Sequence, residues 1–198
     1  MFGILGLGFL LGMQHALEAD HIAAVSSIAA RRTHVGDIVK HGLTWGLGHT
    51  VTLFAIAGAA ILLGRAVPEH FARPLEAAVG IMLLGLGAHV HRFRWRTLLV
   101  GLMHGMAGSA ALLVLAISQA SSPAAGLGYV ALFGIGSMAG MGALSTVIAV
   151  PLAVSARWLT SANSGLQGAV GVTTIAIGAN TIYNTTIYTT TIYTTAFT

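Results

Sequence analysis

The chain has 198 residues, 56% hydrophobic and 7% charged, with nine Lys and Arg, five Asp and Glu, nine His and no Cys. A soluble domain carries about 25% charged residues, so this composition, with a mean hydropathy of +0.85, excludes a water-soluble globule and predicts a membrane protein. Without cysteine there are no disulfides, thiolate metal sites or thiol redox chemistry, and the formal charge of +4 sits in short Arg clusters between apolar runs, which reads as membrane topology rather than nucleic-acid binding.

A bilayer span needs about 20 largely apolar residues, and six segments qualify, roughly 2–29, 41–64, 74–91, 97–120, 126–154 and 165–183. The expected fold is an all-α membrane domain of six transmembrane helices over residues 1–183. The opening MFGILGLGFLLG lacks the basic n-region and cleavage site of a secretory signal, so it is read as the first span.

That first span holds GMQHALEADHIAAV, with His15, Glu18, Asp20 and His21 inside seven residues of an otherwise oily run. At about 100° per residue a straight helix puts His15, Glu18 and His21 on one face, with Gln14 beside them and Asp20 on the other side. Two imidazoles and a carboxylate suit a borderline divalent ion such as Ni²⁺, Co²⁺ or Zn²⁺, whereas Mg²⁺ and Ca²⁺ want oxygens. Ionisable groups at membrane depth cost at least about 2.5 kcal/mol each, so four together require a bound ion or a closed polar network that fixes helix packing. Asp20 either orients a neighbouring ligand or lies where the helix is broken, as transporter helices are at a substrate site.

The second span contains TWGLGHTVT, where His49 lies among Gly46, Gly48, Thr50 and Thr52, small residues that let helices approach closely. His49 is therefore the expected ligand from outside the first helix. His34, His70, His89 and His91 fall at connectors or span ends and read as interfacial.

The fourth to sixth spans repeat the first three. GLMHGMAGSAALL aligns with GMQHALEADHIAA, superposing Gly101 on Gly12 and His104 on His15 at an offset of 89; FGIGSM aligns with WGLGHT at 88, Ser137 replacing His49; LQGAVGVTTIAIGANT aligns with LEAAVGIMLLGLGAHV at 91. Ala107, Ser109 and Ala110 replace Glu18, Asp20 and His21, so the carboxylates stay in the first half. Three spans per half, an odd number, predict two inverted repeats, about 1–91 and 97–183, of the kind found in secondary transporters.

The odd connectors carry seven basic residues (Arg31, Arg32, Lys40, Arg92, Arg94, Arg96, Arg157) and the even ones two (Arg65, Arg73). The positive-inside rule then makes the odd connectors cytoplasmic and places both termini outside the cell membrane. The last residues, 184–198, repeat a Thr/Ile/Tyr unit and read as a low-complexity tail.

HALEADH has the form H-x4-D-H and resembles the signature of the nickel/cobalt transporter family, with His15, Asp20 and His21 matching and Glu18 standing where the family usually has Asp. LGHT (Leu47 to Thr50) resembles that family's motif in the next helix. The chain looks like a shorter, six-span relative, similar to the UreH-like membrane proteins associated with nickel enzymes. The resemblance implies a permease, not an enzyme. It would carry Ni²⁺ or Co²⁺ as substrate, need no resident cofactor, have lipid and the ion as partners, and use His15, Glu18, Asp20, His21 and His49 as the metal site. Metal efflux and handover of nickel to an enzyme maturation system share these features. An intramembrane hydrolase built on Ser109 or Ser145 with His104 lacks a G-x-S-x-G nucleophile elbow.

Overall fold

The computed structural model describes residues 2–30, 34–64, 69–88, 94–107, 122–158 and 160–196. Among these the chain forms seven α-helices: α1 (Phe2–His15), α2 (Ala19–Ala29), α3 (Val35–Leu63), α4 (Glu69–Ala88), α5 (Arg94–Ala107), α6 (Pro123–Trp158) and α7 (Thr160–Ala196). Val35–Leu63 and Pro123–Pro151 are long and apolar enough to cross a bilayer. Leu62, Leu63, Ile81, Val147 and Val172 stand exposed, a surface suited to hydrocarbon rather than water. The second part of the fourth expected span, 108–120, lies outside the described residues, as do the connector positions Arg31, Arg32, Arg65, Arg92, His89 and His91.

The first expected span is not one helix. After His15 the chain turns through Ala16, Leu17 and Glu18, with the Leu17 and Glu18 amides donating to the carbonyls of Gln14 and His15, and α2 starts from an extended Glu18 (φ −67°, ψ 152°). No Gly or Pro forces the break. The Asp20 carboxylate accepts the His21 backbone N–H at 2.9 Å, and such local bonds compete with the helical ladder.

Other boundaries follow local chemistry. Gly64 ends α3 in the left-handed conformation (φ 60°), which glycine adopts without a Cβ clash. Ser122 caps α6 by accepting the Ala125 amide at 3.3 Å, ahead of Pro123 in the first helical turn, where proline's missing N–H costs nothing. α7 runs through the Thr/Ile/Tyr repeat instead of stopping at Tyr183, and Thr181, Thr185 and Thr186 each donate a hydroxyl to the carbonyl four residues back. Those bonds satisfy the hydroxyls within the helix itself.

The most extensive helix pairs are α3 with α6, α3 with α5, α1 with α6, and α4 with α7. Glycines make the crossings tight. A Cβ on Gly12 would collide with the backbone of Phe133, and one on Gly101 with that of Trp45; one on Gly48 would strike Leu98, and one on Gly136 Phe9; Gly46 meets Met138, and Gly134 meets Thr50. Each approach has its counterpart under the offset of 88 to 89 residues found in the sequence. Residue numbers rise together along α1 with α6 and along α3 with α5, and run oppositely along α3 with α6. Thus α3 and α6 are antiparallel, as are α1 and α5. Ser27 of α2 ties to Thr174 of α7 by a 2.7 Å hydroxyl pair.

Candidate metal centre

The break after α1 brings four imidazoles together. His15 ends α1, His21 lies in the first turn of α2, His49 comes from α3 and His104 from α5. The rings of His15 and His21 have centroids 4.4 Å apart, His21 and His104 4.3 Å, His21 and His49 5.2 Å, His15 and His49 5.3 Å, and His49 and His104 5.6 Å. Gly105 lets the α5 backbone touch that of His49. His21, His49 and His104 are buried.

Carboxylates pin one nitrogen on three of the rings. His15 Nδ1 donates to Glu18 Oε1 at 2.8 Å, His21 Nδ1 to Asp20 Oδ1 at 3.0 Å, and His104 Nε2 to Asp20 Oδ2 at 3.1 Å. A carboxylate acceptor requires the proton on the bonded nitrogen, so the other nitrogen of each neutral ring presents a lone pair. Those opposite nitrogens, His15 Nε2, His21 Nε2 and His104 Nδ1, are buried with no hydrogen-bond partner among the described residues, as are both nitrogens of His49. Buried polar atoms are nearly always bonded, yet these five are bare; because a neutral His49 carries its proton on one of its two nitrogens, they offer four lone pairs, one from each ring, of the kind that ligate a metal ion. Donor atoms of His15, His21 and His49, and of Asp20, His21 and His104, form two groups that could each hold an ion.

Of the two geometries left open for Asp20, the chain takes the broken helix, and the two carboxylates exchange the places a straight helix would give them. The turn at 16–18 swings Glu18 outward, its side chain 57% exposed, where it holds His15. Asp20 turns inward between His21 and His104. His104 was not among the expected ligands. The signal for it was its alignment with His15 in the repeat, which the substitution of its neighbours by Ala and Ser obscured. Ser137, the repeat partner of His49, is buried with an unpartnered hydroxyl. Of the residues considered for hydrolysis, Ser109 lies outside the described residues, Ser145 is buried against Gly42, and His104 is engaged by Asp20. Thr97, expected at the start of a span, is buried and bonded to His41 at 2.8 Å.

The chain is 31% identical to the urease accessory protein UreH of Bacillus sp. (strain TB-90), over 211 aligned positions covering 93% of this chain and 92% of that protein. No protein-family model and no solved structure matches it. On that relationship the chain belongs to the UreH family, relatives of the nickel/cobalt transporters.

Proposed function

We propose that the chain is a membrane permease for Ni²⁺ or Co²⁺, built of six spans in two inverted three-helix repeats, and that the ion is held by the imidazoles of His15, His21, His49 and His104. The observation that carries this reading is the set of bare, buried ring nitrogens at the meeting point of α1, α2, α3 and α5. Imidazole donors without thiolate favour a borderline late transition metal. Carboxylates bonded to the far side of ligating histidines fix tautomer and orientation and raise ligand basicity, which is the part assigned to Glu18 and Asp20. A helix broken in mid-membrane at a substrate site, and equivalent helices running antiparallel, support alternating access.

The chemistry is binding and release, without bond making. Lone pairs on neutral rings replace the ion's hydration water, and a change in helix packing between the halves exposes the ion to the other face. The test is ⁶³Ni²⁺ flux into proteoliposomes alongside equilibrium binding in detergent. His21→Ala should reduce both close to background while the protein still inserts; uptake near that of the unaltered chain would sink the assignment. A second reading comes from the relative's name, an accessory role in urease assembly: metal binding without flux would favour it.

A further inference from the structure

We propose that Trp45 and Phe133 are the two gates of the metal site, closing it toward opposite faces of the membrane; this rests on reading the histidine cluster as an ion site. The two residues are repeat partners at an offset of 88, and both are buried. The Trp45 indole lies 5.3 Å from the ring of His21 and 5.5 Å from that of His104. The Phe133 ring lies 5.3 Å from His15. Each helix that carries a gate is packed backbone to backbone against the helix that carries one of the paired histidines, Trp45 on Gly101 of α5 and Phe133 on Gly12 of α1.

The arrangement continues outward on both sides. One turn before Trp45 on α3 is His41, buried and bonded to Thr97 of α5 at 2.8 Å. One turn before Phe133 on α6 is Tyr129, buried with its ring on Gly8 of α1 and its hydroxyl unpartnered among the described residues. His41 and Tyr129 are again 88 residues apart, and Thr97 and Gly8 are 89 apart. Moving from the cluster toward the start of α3, Trp45 comes first and the polar His41 one turn beyond; moving toward the start of α6, Phe133 comes first and the polar Tyr129 one turn beyond. Since α3 and α6 are antiparallel, the two directions lead to opposite faces. The Trp45 indole N–H is buried without a partner among the described residues, and a donor left so gains one when the ring swings aside into a hydrated path. Both rings closed at once make the described state occluded.

The test uses the absence of cysteine from the chain. His49→Cys puts one thiol inside the cluster, and its reaction with a membrane-impermeant thiol reagent is read without metal, in intact cells for the outer face and in inverted vesicles for the inner. The His49→Cys parent should label at background from both faces. Adding Trp45→Ala should raise labelling from the face at the start of α3, expected to be cytoplasmic, and adding Phe133→Ala should raise it from the other face. Trp45→Leu and Phe133→Leu, which keep an apolar side chain, are read in parallel in case the Ala variants fail to insert. Labelling of both gate variants from the same face, or of neither, overturns the proposal. Failure of the unaltered chain to bind Ni²⁺ would instead remove the metal reading and leave the sidedness result standing.

Discussion

Asp20 holds two imidazoles and Glu18 one. Asp20 Oδ1 and Oδ2 fix His21 and His104 in the interior, whereas Glu18 reaches His15 from an exposed position. Asp20→Asn should therefore weaken Ni²⁺ binding by about 10- to 100-fold, the scale of losing a partner behind a metal ligand, and Glu18→Gln by less, as read by calorimetry in detergent. A straight helix would give the reverse order, Glu18 acting directly on the ion and Asp20 from behind, so the ranking of the two variants tests the break itself. The residue types were legible in the sequence; the direction in which each carboxylate points was not, because a two-residue difference in register around a turn decides it.

At the scale of helices, contact depends on glycine. Gly101 sits where a Cβ would enter the Trp45 backbone, whereas Gly85 has nothing near it. Gly101→Ala should force α3 and α5 apart at a cost of about 1–3 kcal/mol, typical of overpacking, while Gly85→Ala should be neutral or gain a few tenths of a kcal/mol from helix propensity, up to about 1 kcal/mol. Thermal unfolding in detergent measures both, and equal effects would mean that the α3–α5 crossing is looser than described. The sequence marked these helices by their apolar length, and the repeat marked Gly12 with Gly101 as equivalents. Periodicity said nothing of which glycine meets which backbone, since a glycine in a lipid-facing turn and one in a crossing have the same neighbours in the chain.

For the whole molecule, the antiparallel course of α3 and α6 sets where the connectors lie. His34 and Ser122, the exposed residues preceding those helices, are 88 residues apart, so the proposed inverted repeat puts them on opposite faces. His34→Cys should react with the impermeant reagent only in inverted vesicles, and Ser122→Cys in intact cells. Reaction of both from one side would overturn the inverted arrangement and with it the assignment of the basic connectors to the cytoplasm.

By itself the sequence determined the solvent, through composition, and the donor chemistry, through a histidine and carboxylate motif with no thiol to compete. It also carried the signal on which the proposed repeat rests, because an offset held nearly constant across three segments survives loss of the side chains themselves. Only the tertiary structure decided that the first span breaks between His15 and Ala19, that Asp20 faces inward and Glu18 outward, and that His104 completes the cluster from 83 residues beyond His21. Those are outcomes of helix crossing. They depend on which backbone a glycine admits and on which buried nitrogen a carboxylate can reach, and neither is encoded in the spacing of residues along one helix.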